Sequence, residues 1–563
     1  MSLLTNLLIG LTIVYIVGIL YVRQSSIELP DWMRITAGVL ILIQTKRGIP
    51  QVKKISNAST KWNIWGNAGV GFALFVMSGV FIFTLYSAFV LLTTQTEPSI
   101  SNPKNYLVIP GVNDFIPLTV ITEVLIALLL AMVIHELGHA IYCVYEGIGI
   151  ESTGLVLFGV IPIGAFVEPN EEGQEKASRP SRLRMFSAGV FNNLWTTIIT
   201  LVLLILVSST LIAPISGAYI ASSETDGLER GDVIQAVNGT PVESNTEFSS
   251  TLEQSSGETA QLTLANGEQV SIQKEIFISS VLESSSLESG TTVSQVNGQS
   301  VSSISDIKNT IYNSNTNEIT VTTADNEEKV YETGATYIVQ DSLTVSDTTL
   351  SRNSLVRVTS YNDKIIHGSD QIEELSVGDS ITFTVNDTTY TETVTDSISS
   401  SLISVEGING LEFKQINASL FNAQLFYNIV SADAIQSVGV IVWFAVLFFA
   451  PFGSLIGLNN NYPGFTSDIS NFYTVTDPSL SIAEPAIFFG LTVLYWSFWL
   501  NCNLFIFNCL PTYALDGGHI LRDSFSLGGE KLGIDPDVSN TAISVILLIT
   551  VIALLLMLGS PIL

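Results

Sequence analysis

Seven apolar runs long enough to cross a bilayer constrain this chain more than any other feature. They lie near residues 3–22, 66–93, 117–145, 186–213, 436–458, 482–507 and 541–560. Each holds about the 20 residues that cover roughly 30 Å of hydrocarbon. Inside hydrocarbon every backbone N–H and C=O must find a partner within the chain, so the runs predict α-helices. With 47% hydrophobic and 13% charged residues over 563 positions, an ordinary soluble protein is excluded. The first run ends in Tyr21, Val22 and Arg23 with no small-residue cleavage site, and reads as a retained helix. The expected fold is a polytopic α-helical membrane protein with about 6–7 transmembrane helices, re-entrant or β elements between them, and a mainly β soluble module.

The charge is uneven. Of a net −29, most comes from between the fourth and fifth runs, where about 30 Asp and Glu face about 8 Lys and Arg. That divides the chain into a membrane domain at 1–213, an acidic module at 214–430 and a second membrane domain at 431–563. An acidic, Ser/Thr-rich, lysine-poor surface suits solvation at high salt, as in a salt-loving archaeon; a generic acidic ectodomain reads the same way. It argues against a nucleic-acid partner. Cys143, Cys502 and Cys509 all lie in or beside apolar runs, so no disulfide framework is expected in the module. Arg23, Arg34, Lys46, Arg47, Lys53, Lys54 and Lys61 cluster between the first two runs, which places that loop in the cytoplasm and, by alternation, the acidic module outside the cell.

Three apolar pieces are too short or too broken to cross: Ala37 to Ile43, Leu107 to Leu118 with Pro110 and Pro117, and Gly154 to Val167 with Pro162. Irregular backbone at membrane depth survives only where protein or a water-filled cavity satisfies it. The pieces therefore read either as a gate or substrate-binding edge strand, or as interfacial loops. Within the module, GLERGDVIQAVNGTPV from Gly227 to Val242 orders a leucine, a Gly-Asp turn, an apolar strand and an Asn-Gly turn. About 59 residues later LESGTTVSQVNGQSV repeats the pattern from Leu287 to Val301, and LSRNSLVRVTSYND from Leu350 is a fainter echo. Repeat boundaries of 214–275, 276–338 and 339–425 follow. GLERGDVIQAVNG resembles the signature of a PDZ domain, which implies capture of peptide ends by strand addition; a spacer that keeps large proteins from the membrane is the alternative. In the second copy Thr291 stands where the aspartate would be.

HELGH, His135 to His139, interrupts the third run. On a helix it sets two imidazoles one turn apart on one face, with Glu136 beside them, as two metal ligands and a general base require. A charge at the bilayer centre is unfavourable by several kcal/mol, so three ionisable groups within five residues need a reason such as a metal. Zinc suits imidazole and carboxylate donors with one position left open, although cobalt or iron would accept the same donors. The third ligand is sought in NCLPTYALDGGHIL, Asn508 to Leu521, where Asp516 stands in a broken apolar stretch. His519, less than one turn away, competes for that role.

HELGH in one span and LDGGH in a much later one resemble the site-2 protease family of intramembrane zinc metalloproteases. The resemblance implies one Zn²⁺ per chain on His135, His139 and Asp516, with Glu136 as catalytic base. Ala188, Gly189 and Asn193 match the family's Ala-Gly-x-x-x-Asn element, which implies that Asn193 binds substrate or stabilises the reacting carbonyl. Ser152 to Val167, Pro110-Gly111 and the acidic module match the family's sheet insert, loop and PDZ insert; Tyr513 departs from a common proline. The implied activity is hydrolysis of peptide bonds within or near transmembrane segments of single-span membrane proteins already trimmed outside. The implied setting is a multi-pass cell-membrane protein with its site nearer the cytoplasmic side. A zinc transporter, which has little use for Glu136, and a peptide-binding scaffold, which would have lost a ligand or the base, are the rivals.

Overall fold

The computed structural model describes residues 3–559 apart from 26–28, 37–38, 94–101, 160, 281–286, 341–342, 346–347, 352–353, 386–387, 406–407, 409 and 457–460. The chain forms two compact units, one of residues 1–213 with 424–563 and one of residues 214–423.

The first unit is the membrane unit. Its elements run α1 (Leu3–Gln24), β1 (Met33–Thr36), β2 (Leu40–Thr45), α2 (Ile49–Asn57), α3 (Trp62–Thr93), α4 (Ile121–Tyr145), β3 (Ile150–Phe158), β4 (Ile161–Pro169), α5 (Glu171–Lys176) and α6 (Arg179–Leu211). After the second unit come α7 (Ile435–Phe449), α8 (Glu484–Asn508), α9 (Asp516–Leu532) and α10 (Pro536–Gly559). Among the described residues six helices are long and apolar enough to span a membrane, those built on α3, α4, α6, α7, α8 and α10. The protein is a multi-pass membrane protein with a separate β module. The first run also forms one helix, α1, of 22 residues.

Helices α4, α6 and α8 pack on one another, with α9 against α6 and α10 against α3 and α9. Ala73 and Met77 of α3, Leu183 and Val190 of α6, Phe505, Ile520 and Leu521, and Ile543 and Leu547 of α10 form one buried cluster where these helices meet. In hydrocarbon such close packing replaces the hydrophobic effect as the force that joins helices.

The broken pieces form a sheet and a loop. β1, β2, β3 and β4 make an antiparallel sheet in that order, and β4 is its terminal strand and packs on α4. The piece from Ala37 to Ile43 thus supplies the first four residues of β2, Leu40 to Ile43, although residues 37 and 38 lie outside the described part. The Pro110-Gly111 loop is held by Asn113, whose buried side-chain amide donates to the carbonyls of Asn105 (2.8 Å) and Leu107 (3.0 Å). That satisfies main-chain acceptors that would otherwise be orphaned beside the entry to α4.

The second unit contains three sheets of one design. In the first, strands Ala218–Ser223, Val233–Val237, Thr259–Leu264 and Gln269–Gln273 are joined by Ala418–Phe421. In the second, Ile276–Ser280, Thr292–Val296, Glu318–Thr323 and Glu328–Glu332 are joined by Glu412–Lys414, and in the third, Ala335–Val339, Leu355–Tyr361, Ser380–Val385 and Thr388–Thr393 are joined by Leu402–Val405. Each closing strand lies beside the first strand of its sheet. The turn after the second strand is the same in all three: Asn238, Asn297 and Asn362 take positive φ. Their side-chain oxygens accept from the backbone N–H of Gln261 (2.7 Å), Thr320 (2.8 Å) and Ser380 (2.9 Å). The faint third echo ends in strand Leu355–Tyr361 and the turn that follows it in the third sheet. Three separate cores fill the sheets, and Ile416 and Ala418 complete the first while Ile408 and Leu411 complete the second.

Candidate active site and metal centre

α4 brings His135 and His139 one turn apart, with ring centroids 4.7 Å apart and rings nearly perpendicular. Their Nε2 atoms are 3.0 Å apart. Asp516 is the first residue of α9, and its Oδ2 lies 3.1 Å from His135 Nε2 and 3.3 Å from His139 Nε2. Among the described residues these three are the one group of acidic, His or Cys side chains whose donor atoms converge, all within 4.8 Å.

The donor set fits a metal ion. Bonds of about 2.0–2.1 Å at the tetrahedral angle put donor atoms about 3.3 Å apart, close to the separations here. Asp516 Oδ2 is buried and makes no hydrogen bond of acceptable geometry, although two imidazoles adjoin it. His139 Nδ1 donates to the Met185 carbonyl at 2.9 Å, which leaves the Nε2 lone pair directed at the centre. Asn193 is fully buried, its Nδ2 3.3 Å from His135 Nδ1, while its Oδ1 has no partner. Turning that amide over lets Oδ1 accept from Nδ1–H and frees His135 Nε2 in the same way.

Glycines set the spacing. A Cβ on Gly138 would stand 2.7 Å from the Ala188 main chain, and one on Gly189 would stand 2.5 Å from His139 Nε2. α4 and α6 thus cross through a patch of small residues, and Gly189 leaves room for both imidazoles. The Ala188, Gly189 and Asn193 pattern is explained by these contacts. α9 is held to α6 by Arg182, which bonds both Asp523 oxygens (2.9 and 2.5 Å), and by an Arg179–Glu530 pair. Arg184 grips Glu146 at the end of α4 with bonds of 2.6 and 3.0 Å. None of these pairs was legible in the sequence, because charge partners 38, 341 and 351 residues apart leave no local pattern.

Glu136 points to β4: its Oε2 accepts the Val167 N–H at 2.9 Å. His519 is stacked on Phe186 with centroids 4.3 Å apart and is not part of the converging group.

The sequence pattern of peptidase family M50 matches residues 123–554, which include both motifs and most of the chain. The chain belongs to peptidase family M50, the site-2 protease family. This M50 member is 28% identical over 250 residues to an uncharacterized protein of Methanocaldococcus jannaschii, a segment that is 44% of this chain and 64% of that protein. It is 29% identical over 131 residues to a membrane-bound transcription factor site-2 protease homolog of Arabidopsis thaliana, or 23% of this chain and 24% of the plant protein. In both cases the match spans less than two thirds of the relative.

Proposed function

We propose that this chain is an intramembrane zinc endopeptidase that hydrolyses peptide bonds within or near the transmembrane segments of single-span membrane proteins. The observation that carries the reading is the convergence of His135, His139 and Asp516 from two distant helices, with Glu136 beside them. One Zn²⁺ per chain, when bound there, supplies Lewis acidity that lowers the pKa of water toward about 7 and polarises a carbonyl. Glu136 takes the water proton and passes it to the leaving amine. Asn193 holds His135 through its ring nitrogen; a role as donor to the tetrahedral oxyanion requires its amide to leave that ring. A substrate helix unwinds first, since its peptide bonds are hidden in their own hydrogen-bond ladder, and β4, the terminal strand of its sheet, is where the extended segment can lie.

The basic cluster at residues 23–61 supports a reading with that segment in the cytoplasm, the acidic module outside and the site nearer the cytoplasmic side. The three sheets serve as PDZ-like repeats that take peptide ends of substrates trimmed outside, or that turn away untrimmed ones, so cleavage follows an earlier cut.

The test is cleavage of a panel of single-span substrates by the purified protein in detergent, with Glu136→Gln and a chelator as controls. Cleavage lost in both and restored to the chelated protein by zinc supports the reading. One zinc per chain with no cleavage points to a peptide-binding scaffold, and absence of bound metal rules out the three-ligand site.

A further inference from the structure

The general base and the substrate's docking strand are tied by one main-chain hydrogen bond. In the regular stretch of the β3–β4 ladder Val167 lies opposite Thr153, Phe166 opposite Gly154, Ala165 opposite Leu155 and Gly164 opposite Val156. Consecutive residues of an antiparallel strand turn their N–H and C=O alternately toward the partner strand and away from it. The Val167 N–H goes to Glu136, so it faces away from β3. By the same alternation the N–H and C=O of Ala165 face outward, on the terminal edge of the sheet.

From this arrangement we infer that the Val167 main-chain N–H positions Glu136 for catalysis and that Ala165 is the rung on which the substrate's main chain docks. The inference rests on the protease reading above and deepens it. With its N–H on Glu136, Val167 leaves the last outward donor of β4 closed to the substrate. Ala165 is then the next open rung, about 6.6–6.8 Å along the strand. The scissile bond falls about two residues beyond the substrate residue that pairs with Ala165. Base and substrate are measured off on one strand, so the distance between carboxylate and target carbonyl does not depend on how α4 and β4 are separately placed. A free carboxylate in the same place would sample several rotamers, and a misplacement of about 1 Å is enough to slow a reaction about 100-fold.

The test replaces N–H groups one at a time in the full-length enzyme. Val167→Pro, and in parallel the α-hydroxy acid analogue of valine introduced at 167 by nonsense suppression, remove the donor; the second keeps the side chain and avoids ring strain if the proline variant does not fold. Ala165→Pro removes the docking donor. Both changes at 167 are expected to lower kcat about 10–100-fold with KM within about twofold and the cut bond unchanged. Ala165→Pro is expected to raise KM and to spread cleavage over neighbouring bonds in mass spectra. The inference is overturned if the ester analogue keeps wild-type kcat, or if the changes at 165 and 167 alter KM and kcat alike. Failure of the wild type to cut any substrate overturns the protease reading itself and this inference with it.

Discussion

Gly189→Ala adds one methyl group at the point where α6 meets both metal-site histidines. Its Cβ would lie 2.5 Å from His139 Nε2 and 2.8 Å from His135 Cε1. Carbon and nitrogen atoms in ordinary contact sit about 3.5 Å apart, so about 1 Å of room must be made. Neither ring can yield freely, since His139 is held by the Met185 carbonyl and His135 by Asn193. Overpacking of this kind destabilises by about 1–3 kcal/mol, which, charged against the metal-bound arrangement, weakens zinc binding about 5–150-fold. Helix propensity acts the other way, since alanine in a helix interior is more favourable than glycine by about 0.5–1 kcal/mol. The two effects separate: thermal stability of the metal-free protein changes little while metal affinity falls. Gly79→Ala on α3, with open space around the new methyl group, is the control that gains helix propensity without touching the site. Competition against a chromophoric chelator measures the affinity, and a thermal melt of the stripped protein measures the fold. Zinc affinity within twofold of wild type in Gly189→Ala would refute the close approach of α6 to the imidazoles.

Three further outcomes follow from the same structure. Asp523→Ala leaves Arg182 half-buried without its carboxylate and should lower stability by about 1–3 kcal/mol; Arg182→Ala with Asp523→Ala should fall short of the sum of the single losses in thermal melts. Leu411→Ala empties a buried position in the second core and should destabilise by about 2–5 kcal/mol, seen as faster hydrogen exchange in residues 276–332 although Leu411 lies far along the chain. His367 is buried in the third repeat against Thr333 and the Ser314 carbonyl, and burial holds its imidazole below the usual range. A histidine with a depressed pKa binds fewer protons folded than unfolded, so stability is lost as pH falls through about 6.5. The wild type should therefore lose stability relative to His367→Gln between about pH 7 and pH 5 in paired melts, and equal pH profiles would contradict the buried neutral ring.

The apolar runs announced the spanning helices because composition alone decides which segments enter hydrocarbon. HELGH was legible because its meaning lies within five residues of one helix, and Asp516 because a carboxylate stood in a broken apolar stretch. What stayed hidden depends on partners far apart in sequence. No local pattern sends the Val167 N–H to Glu136, 31 residues earlier. Nor does any local pattern announce the contact of the Asn193 amide with His135 Nδ1, 58 residues earlier. The third repeat was faint because only its turn, Asn362 and Asp363, keeps the signal while the strands are free to vary within an apolar alternation.

The closing strands come in reverse order, third sheet first and first sheet last. During synthesis the first repeat is complete as far as Gln273, yet its edge stays open until Ala418 emerges roughly 140 residues later. At about 5–20 residues per second, that is roughly 7–30 s in which the first strand offers an unpaired edge to any neighbouring chain. Overlapping ribosomes on one message would bring several such edges together. The abundance of acidic residues in this segment then has a use before folding ends, as mutual repulsion that keeps nascent copies from pairing while each waits for its own last strand.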